Sequence, residues 1–186
     1  MKKKLIFAMS VLLFSVVGIA SVVAQPIEVR RVEGEIGAGM VLGLWGLDYE
    51  HCTPGPKINL ELRYNLPKVP VDVGLHISPY AVCRNRTIDQ HKDKDSNRAL
   101  DLMVVSDYNF RRGQKVSFFA GAGLGVTAQS SPRILTLLSA MPRVGVEFSN
   151  HLRLTAAFSF SQREVSHFSL SVGGVFGGGP KKNRNK

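Results

Sequence analysis

The chain has 186 residues, 18 of them glycine, a formal net charge of +10 and a mean hydropathy of +0.02. This length suits a single domain, and the hydropathy excludes a bundle of membrane-spanning helices. Seven positive charges belong to the two ends of the chain, and subtracting them from +10 leaves +3 for its body. The high pI is therefore weak support for a nucleic-acid partner, which would need a basic stripe on one folded face, and we expect none.

Residues 1–24 have the layout of a secretory signal peptide. Lys2–Lys4 form a basic start, Leu5–Ala24 is uncharged and mostly apolar, and the run ends on a small residue. We therefore predict cleavage after Ala24, which leaves a short periplasmic segment at residues 25–32. A retained membrane anchor is the alternative, because the apolar run is long enough to span a bilayer.

From residue 33 onward, apolar side chains recur at every second position, which predicts β-strands. In Lys57–Leu66 every even-numbered residue is apolar or aromatic, and every odd-numbered residue is polar or charged. The predicted segments have roughly nine to thirteen residues, about the length of a tilted strand that spans a bilayer. Eight such segments are predicted: Glu33–Trp45, Lys57–Leu66, Val69–Ser78, Ala99–Phe110, Val116–Ala128, Ala140–Phe148, Leu152–Ser161 and His167–Phe176.

The connections between these segments alternate between short turns and long polar loops. The longest loops are Gly46–Pro56, Val82–Arg98 and Gln129–Ser139. Short turns at one end and long loops at the other are typical of outer-membrane barrels, whose short turns are periplasmic. A sheet in lipid must also close, because an open edge leaves backbone groups unsatisfied.

The sequence therefore predicts an all-β fold: an eight-stranded antiparallel transmembrane β-barrel at residues 33–177 after an N-terminal signal peptide. We expect residues 178–186 to form a basic tail and both termini to lie in the periplasm of a bacterium. A soluble, lipocalin-like barrel is the alternative, and it would need apolar residues inside. Aromatic side chains should form girdles at both rims. Tyr80 is out of phase with its outer face, and a bulge near Pro79 would return it to the outside.

Glycine-rich strands give the chain a family resemblance. With Gly34–Gly39 in the first strand, Phe119–Gly125 in the fifth and a last strand ending in Phe176, it resembles small bacterial outer-membrane barrels of the OmpA/OmpX-like class. It looks most like members of the outer membrane protein beta-barrel domain family, over roughly residues 33–176. The resemblance is architectural and implies a monomer surrounded by outer-membrane lipid, with no catalytic motif and no cofactor.

Many charged residues fall on the predicted inward faces. Charges in an eight-stranded lumen must pair, because the interior is only wide enough for side chains. We interpret them as a packed salt-bridge plug, and a narrow polar path for ions or protons is the alternative. The predicted lumen network is Glu35, Glu61, Arg63, Asp72, His76, Asp101, Asp107, Arg143, Glu147 and Arg153.

The two cysteines, Cys52 and Cys83, fall in or beside the first and second long loops, so both lie at one rim. A disulfide between them is predicted, since the compartment outside the inner membrane is oxidising. The second loop also has four basic residues that could contact lipopolysaccharide phosphates or an acidic envelope or host protein, although a solvated, mobile loop is the alternative. These residues are Arg84, Arg86, Lys92 and Lys94.

Residues with potential for chemistry are few. Acidic residues around His91 do not have the spacing of a calcium loop, so no metal site is expected. His167 and Ser169 resemble the His-x-Ser pair of some outer-membrane lipid A deacylases, but their face points inward and no acid follows Ser169. We therefore expect a non-enzymatic barrel with a structural or surface-interaction role through its extracellular loops. Passage or binding of a small ligand is the alternative, and a lipid-modifying enzyme is a weaker one.

Overall fold

The computed structural model describes residues 29–43, 51–88, 91–131, 133–161 and 166–177. The predicted signal peptide, the predicted tail and Trp45 lie outside these residues. Among the described residues, no helix is long and apolar enough to cross a membrane. The strands in this part of the chain are β1 (Val32–Gly43), β2 (His51–Thr53), β3 (Gly55–Asn65), β4 (Val71–Ile88), β5 (His91–Phe110), β6 (Val116–Ser131), β7 (Arg133–Phe148), β8 (Leu152–Ser161) and β9 (His167–Phe176).

Eight of these strands close into one antiparallel barrel. β1 pairs with β3 on one side and with β9 on the other, and the remaining strands pair with their neighbours in chain order. The three-residue β2 pairs with β4, as β3 does, and only Pro54 separates β2 from β3. β2 is therefore an extension of β3 rather than a ninth wall strand, and the predicted eight-stranded barrel is confirmed.

The two faces of the wall have opposite chemistry. Along β3 the residues alternate strictly between buried and exposed, so that Leu62 is 58% exposed while Arg63 is 1% exposed. The exposed positions on the barrel strands are mostly aliphatic or aromatic, and most of the buried side chains are polar or charged. A soluble barrel would need the reverse arrangement, whereas an apolar exterior suits contact with lipid.

The wall of the barrel is not equally tall on all sides. At one end, here called the short-turn end, tight turns connect β5 to β6 and β7 to β8, as predicted, with left-handed backbone at Arg111, Ser149 and Asn150. At the other end, the hairpin end, β4 and β5 stay paired as far as Ile88 and His91. β8, by contrast, ends at residue 161. The wall is therefore taller from β4 to β7 than on the side of β8, β9 and β1.

Two segments predicted as loops are strands instead. Residues 82–98 lie almost entirely in the β4–β5 hairpin, and residues 129–139 lie in the β6–β7 hairpin, where Ser131 pairs with Arg133. The alternation of apolar and polar residues is visible only where one face of a strand meets an apolar environment. A hairpin that extends into water can be polar on both faces, and for this reason the sequence pattern misses it.

Tyr80 lies inside the barrel, so the predicted bulge near Pro79 is wrong. The register continues without a shift through Pro79, which pairs with Leu100, to Tyr80, which pairs with Ala99. The Tyr80 side chain is 5% exposed, and its ring lies 4.5 Å from that of His167. Tyr80 therefore packs in the lumen near the hairpin end rather than in an aromatic girdle.

Candidate functional site

The inward faces place all ten predicted lumen residues inside the barrel, and none is more than 7% exposed. Glu33 and Lys57 are buried there as well. Both continue the alternation of their strands, so the signal that would have identified them was present in the sequence. The charges nearest the short-turn end form what we call the ionic layer: Glu33, Glu35, Glu61, Arg63, Asp72, His76, Asp107, Arg143, Glu147 and Arg153.

Arg143 connects opposite walls of the ionic layer. From β7 its guanidinium donates two hydrogen bonds to the Glu61 carboxylate on β3, at 2.5 and 2.8 Å. It donates two more to Asp107 on β5, at 2.6 and 2.8 Å. Charge-assisted bonds of this forked kind fix geometry as well as contribute energy. Arg143 therefore holds three strands together from within the lumen.

Arg153 has both ionic and aromatic partners. It donates to Asp107, lies 3.5 Å from Glu147 and stacks 3.5 Å from the centre of the Phe119 ring. A cation over an aromatic face is a favourable arrangement, and more so where water is excluded. The Phe119 ring fits only because Gly145 has no side chain, since a Cβ atom there would overlap the ring.

Arg63 lies within salt-bridge distance of four carboxylates. Its guanidinium is 3.4 Å from Glu33, 3.7 Å from both Glu35 and Glu61, and 3.9 Å from Glu147. Within the described residues, none of its nitrogens has a hydrogen-bond partner. The contact is therefore a loose charge cage rather than a set of fitted bonds.

Acidic groups outnumber basic groups in the ionic layer. It contains six carboxylates against three guanidinium groups and His76, which lies 2.9 Å from Glu61. A fourth arginine, the half-buried Arg112, lies at the short-turn end and donates to the carbonyl oxygens of Leu66 and Val69, each at 3.0 Å. Partial burial lowers the pKa of Arg112, while the nearby carboxylates, Glu33 first, act in the opposite direction.

A second polar group lies nearer the hairpin end, and we call it the outer cluster. Lys57 donates to the Ser169 hydroxyl at 3.2 Å, and His167 lies 3.4 Å from Asp101. Asp101 also accepts a hydrogen bond from Thr127 at 2.7 Å. The outer cluster comprises Lys57, Tyr80, Asp101, Thr127, Ser139, His167 and Ser169.

Between the two polar groups lies an apolar set that we call the waist. It consists of Met103, Val105, Met141 and Ala157, which are in mutual contact and at most 5% exposed. Sequence reasoning did not single these residues out, because apolar residues on an inward face weaken the alternation there. The described lumen is therefore layered along its axis: ionic, apolar, then polar.

Comparison with known proteins identifies the architecture. No protein-family model matches the sequence, and no curated protein sequence matches it. Among solved structures, Neisserial surface protein A is similar with a TM-score of 0.60 at 12% identity, over 80% of this chain and 98% of that one. The N-terminal β-barrel domain of Pseudomonas aeruginosa OprF has a TM-score of 0.51 at 14% identity, over 80% of this chain and 100% of that one. The chain has the fold of the small outer-membrane β-barrels.

One further solved structure with some likeness to this outer-membrane barrel is an enzyme. The outer membrane enzyme PagL has a TM-score of 0.44 at 15% identity, over 77% of this chain and 98% of that one. A likeness at this level has no bearing on activity. In the present barrel, His167 and Ser169 both face the lumen and are at most 3% exposed, and Ser169 is bonded to Lys57. This placement does not favour their action on a membrane lipid.

The backbone register brings the two cysteine positions of the barrel close together. β2 pairs Cys52 with Arg84 and Thr53 with Cys83, so the cysteines are one register position apart on adjacent strands. Adjacent strands lie about 4.8 Å apart, so the two backbones are close, but successive residues of a strand face opposite sides of the sheet, and the one-position offset places Cys52 and Cys83 on opposite faces. The Cys52–Cys83 bond stays a prediction.

The four candidate surface residues lie on the β4–β5 hairpin of the barrel rather than in a loop. The register pairs Arg84 with Asp95 and Arg86 with Asp93, and pairs Lys92 and Lys94 with uncharged residues. Asp89, part of the sequence region considered for a metal, lies outside the described residues. In the part of the chain that is described, no three acidic, histidine or cysteine side chains are grouped to hold a metal ion.

Proposed function

We propose that this protein is a non-enzymatic barrel of the bacterial outer membrane that acts through the hairpins beyond its rim. The observation that carries the proposal is the filled lumen. The described charged side chains that face inward are buried, and most lie within hydrogen-bond or salt-bridge distance of a partner, which leaves no room for a substrate. With the interior occupied and the wall facing lipid, the rims are the surfaces left for partners.

The apolar exterior supports a location in lipid. In water, a continuous band of exposed aliphatic and aromatic side chains around a whole barrel would cause aggregation. Cell envelopes of bacteria use closed barrels of this kind in the outer membrane, with short turns on the periplasmic side. On that basis the short-turn end is periplasmic, both termini are periplasmic, and the β4–β5 hairpin extends outside the cell.

The β4–β5 hairpin supports an anionic partner. Along its register the basic residues of β4 alternate with uncharged positions, and Lys92 and Lys94 of β5 are paired with Thr87 and Asn85. Two lysines without an acidic cross-strand partner leave positive charge for a ligand, and guanidinium and ammonium groups both bind phosphate. We infer that the partner is the phosphate-bearing region of lipopolysaccharide, with an acidic envelope or host protein as the alternative.

Binding of deacylated lipopolysaccharide to the barrel in phosphatidylcholine nanodiscs tests this partner. The hairpin variant replaces Arg84, Arg86, Lys92 and Lys94 with glutamine, and we expect its affinity to fall at least tenfold. The matched control replaces the four basic residues of the C-terminal tail, Lys181, Lys182, Arg184 and Lys186, and so makes the same change in net charge at the other end. Equal losses in the two variants, or no loss in the hairpin variant, would contradict the proposal.

The orientation has its own test, which does not depend on the partner. A protease site inserted after Asp89 should be cut when protease is added to intact cells, whereas a site added after Lys186 should be cut only after the outer membrane is broken. Cleavage at the C-terminal site in intact cells would refute the periplasmic location of that terminus.

A further inference from the structure

The waist separates the ionic layer from the outer cluster, and a second buried apolar cluster of Val41, Tyr80 and Ala99 lies nearer the hairpin end. On β5 the inward residues run from Asp101 through Met103 and Val105 to Asp107. On β7 they run from Ser139 through Met141 to Arg143. The apolar interval is therefore one or two inward positions deep on each of these strands, with ionisable or hydroxyl groups immediately above and below.

Two methionines provide most of the bulk at this level. A Cβ atom built on Gly123 would lie 3.5 Å from the sulfur of Met103 and 3.3 Å from the terminal methyl of Met141. Both side chains therefore lie over the same glycine. The neighbouring inward positions on β6 and β8 are small, namely Gly125 and Ala157. Val105, whose Cγ1 atom would lie 3.0 Å from the same Cβ at Gly123, and the two methionines fill this part of the cross-section.

The wall that faces the methionines is polar. Arg143 on β7 reaches across to Glu61 on β3, which shows that these strands lie opposite each other. On β3 the inward residue between Glu61 and Lys57 is Asn59, which is 2% exposed and whose side-chain oxygen has no hydrogen-bond partner in the described residues. If the methionine side chains were shortened, a polar lining would run from the ionic layer to the outer cluster.

We propose that Met103 and Met141 form a hydrophobic barrier, and that this barrier, rather than the salt bridges, keeps the lumen closed to ions. Charged and hydroxyl groups can exchange partners with water, so a layer built from them can hydrate. A narrow apolar constriction stays dry and blocks ions without a steric seal. Thioether side chains adapt their shape to fill such a gap.

The same geometry indicates which ions would cross once the barrier was removed. The ionic layer holds six carboxylates against three guanidinium groups, so its net field attracts cations. The barrel thus contains a latent path for small cations. This inference is independent of the proposed role of the hairpins, because it concerns only the interior.

Planar-bilayer recordings in KCl test the barrier with paired substitutions. The variant Met103→Ser/Met141→Ser makes the waist small and polar, whereas Met103→Leu/Met141→Leu keeps it apolar at similar volume. We expect the serine pair to give discrete conductance steps at least tenfold above those of the wild type, with a reversal potential in a KCl gradient that indicates K⁺ preference. The leucine pair should stay at the wild-type level.

Folding of each variant is checked by the shift in gel mobility on boiling. This check distinguishes a folded barrel that does not conduct from a variant that has not folded. A further variant, Arg143→Gln/Asp107→Asn, disrupts the ionic layer while the methionines remain, and we expect it to stay closed. The proposal is overturned if the folded serine pair does not conduct, if the leucine pair conducts as well as the serine pair, or if the ionic-layer variant conducts with both methionines in place. If the serine pair fails to fold, the single variants Met103→Ser and Met141→Ser are compared with Met103→Leu and Met141→Leu in the same way.

Discussion

Replacing Arg143 with methionine should destabilise the barrel more than any other single charge removal at the ionic layer. The guanidinium makes four hydrogen bonds to two buried carboxylates, and its own side chain is 2% exposed. Methionine keeps most of the aliphatic stem and removes the charge. The change therefore leaves Glu61 and Asp107 in place without their principal partner.

The size of the destabilisation depends on which partners the two carboxylates keep. Breaking a buried ion pair by removing one partner costs about 3–5 kcal/mol. Glu61 keeps His76 and Asp107 keeps Arg153, so we expect the lower end, about 3 kcal/mol. With a urea dependence of about 2 kcal/mol per molar, this loss lowers the unfolding midpoint by about 1.5 M.

Urea unfolding in phospholipid vesicles measures this shift, with the folded fraction read from the gel mobility of unboiled samples. Arg98→Met removes an exposed arginine and should change stability by about 0.5 kcal/mol or less. The triple variant Arg143→Met/Glu61→Gln/Asp107→Asn also neutralises the two carboxylates that would otherwise lose their partner, and it should recover most of the lost stability. Equal shifts for Arg143→Met and Arg98→Met, or no recovery in the triple variant, would refute the reasoning.

Three further outcomes are expected. Gly145→Ala should destabilise the barrel by about 1–3 kcal/mol in the same urea assay, because its Cβ overlaps the Phe119 ring, whereas Gly34→Ala, which meets nothing within 4 Å, should be close to neutral. Mass spectrometry of protein from the cell envelope, digested without reductant, should yield one peptide pair joined through Cys52 and Cys83; recovery of both as free thiols would argue against the bond. N-terminal sequencing of the same protein should begin at Gln25, and a chain that begins at Met1 would show that the apolar segment is retained.

The architecture could be predicted from sequence because the lipid-facing wall imposes a strict pattern. On β3 every outward residue from Ile58 to Tyr64 is apolar or aromatic, and every inward residue from Lys57 on is polar. The same physical constraint ends at the edge of the apolar band. Beyond it, nothing requires Arg84 or Lys94 to follow a pattern, and the β4–β5 hairpin was consequently mistaken for a loop.

The lumen was predictable in composition but not in arrangement. Alternation alone indicates that Arg143 and Glu61 face inward, yet it cannot say that they meet, since they lie 82 residues apart in the chain. That contact depends on the stagger of all the strands between them. The waist was missed for a related reason: Met103 and Met141 form an apolar layer only when the register brings β5 and β7 to the same level.

The seam between β1 and β9 joins the first and last strands of the barrel, and there Gly37 pairs with Gly173. Contacts between segments so distant in the chain close slowly, and a glycine opposite a glycine adds no side-chain packing to hasten them. We expect amide hydrogens along this seam to exchange with solvent faster than those between β5 and β6. Closure of the barrel would then require the C-terminal strand β9, so a chain released early from synthesis would remain an open sheet with two unpaired edges.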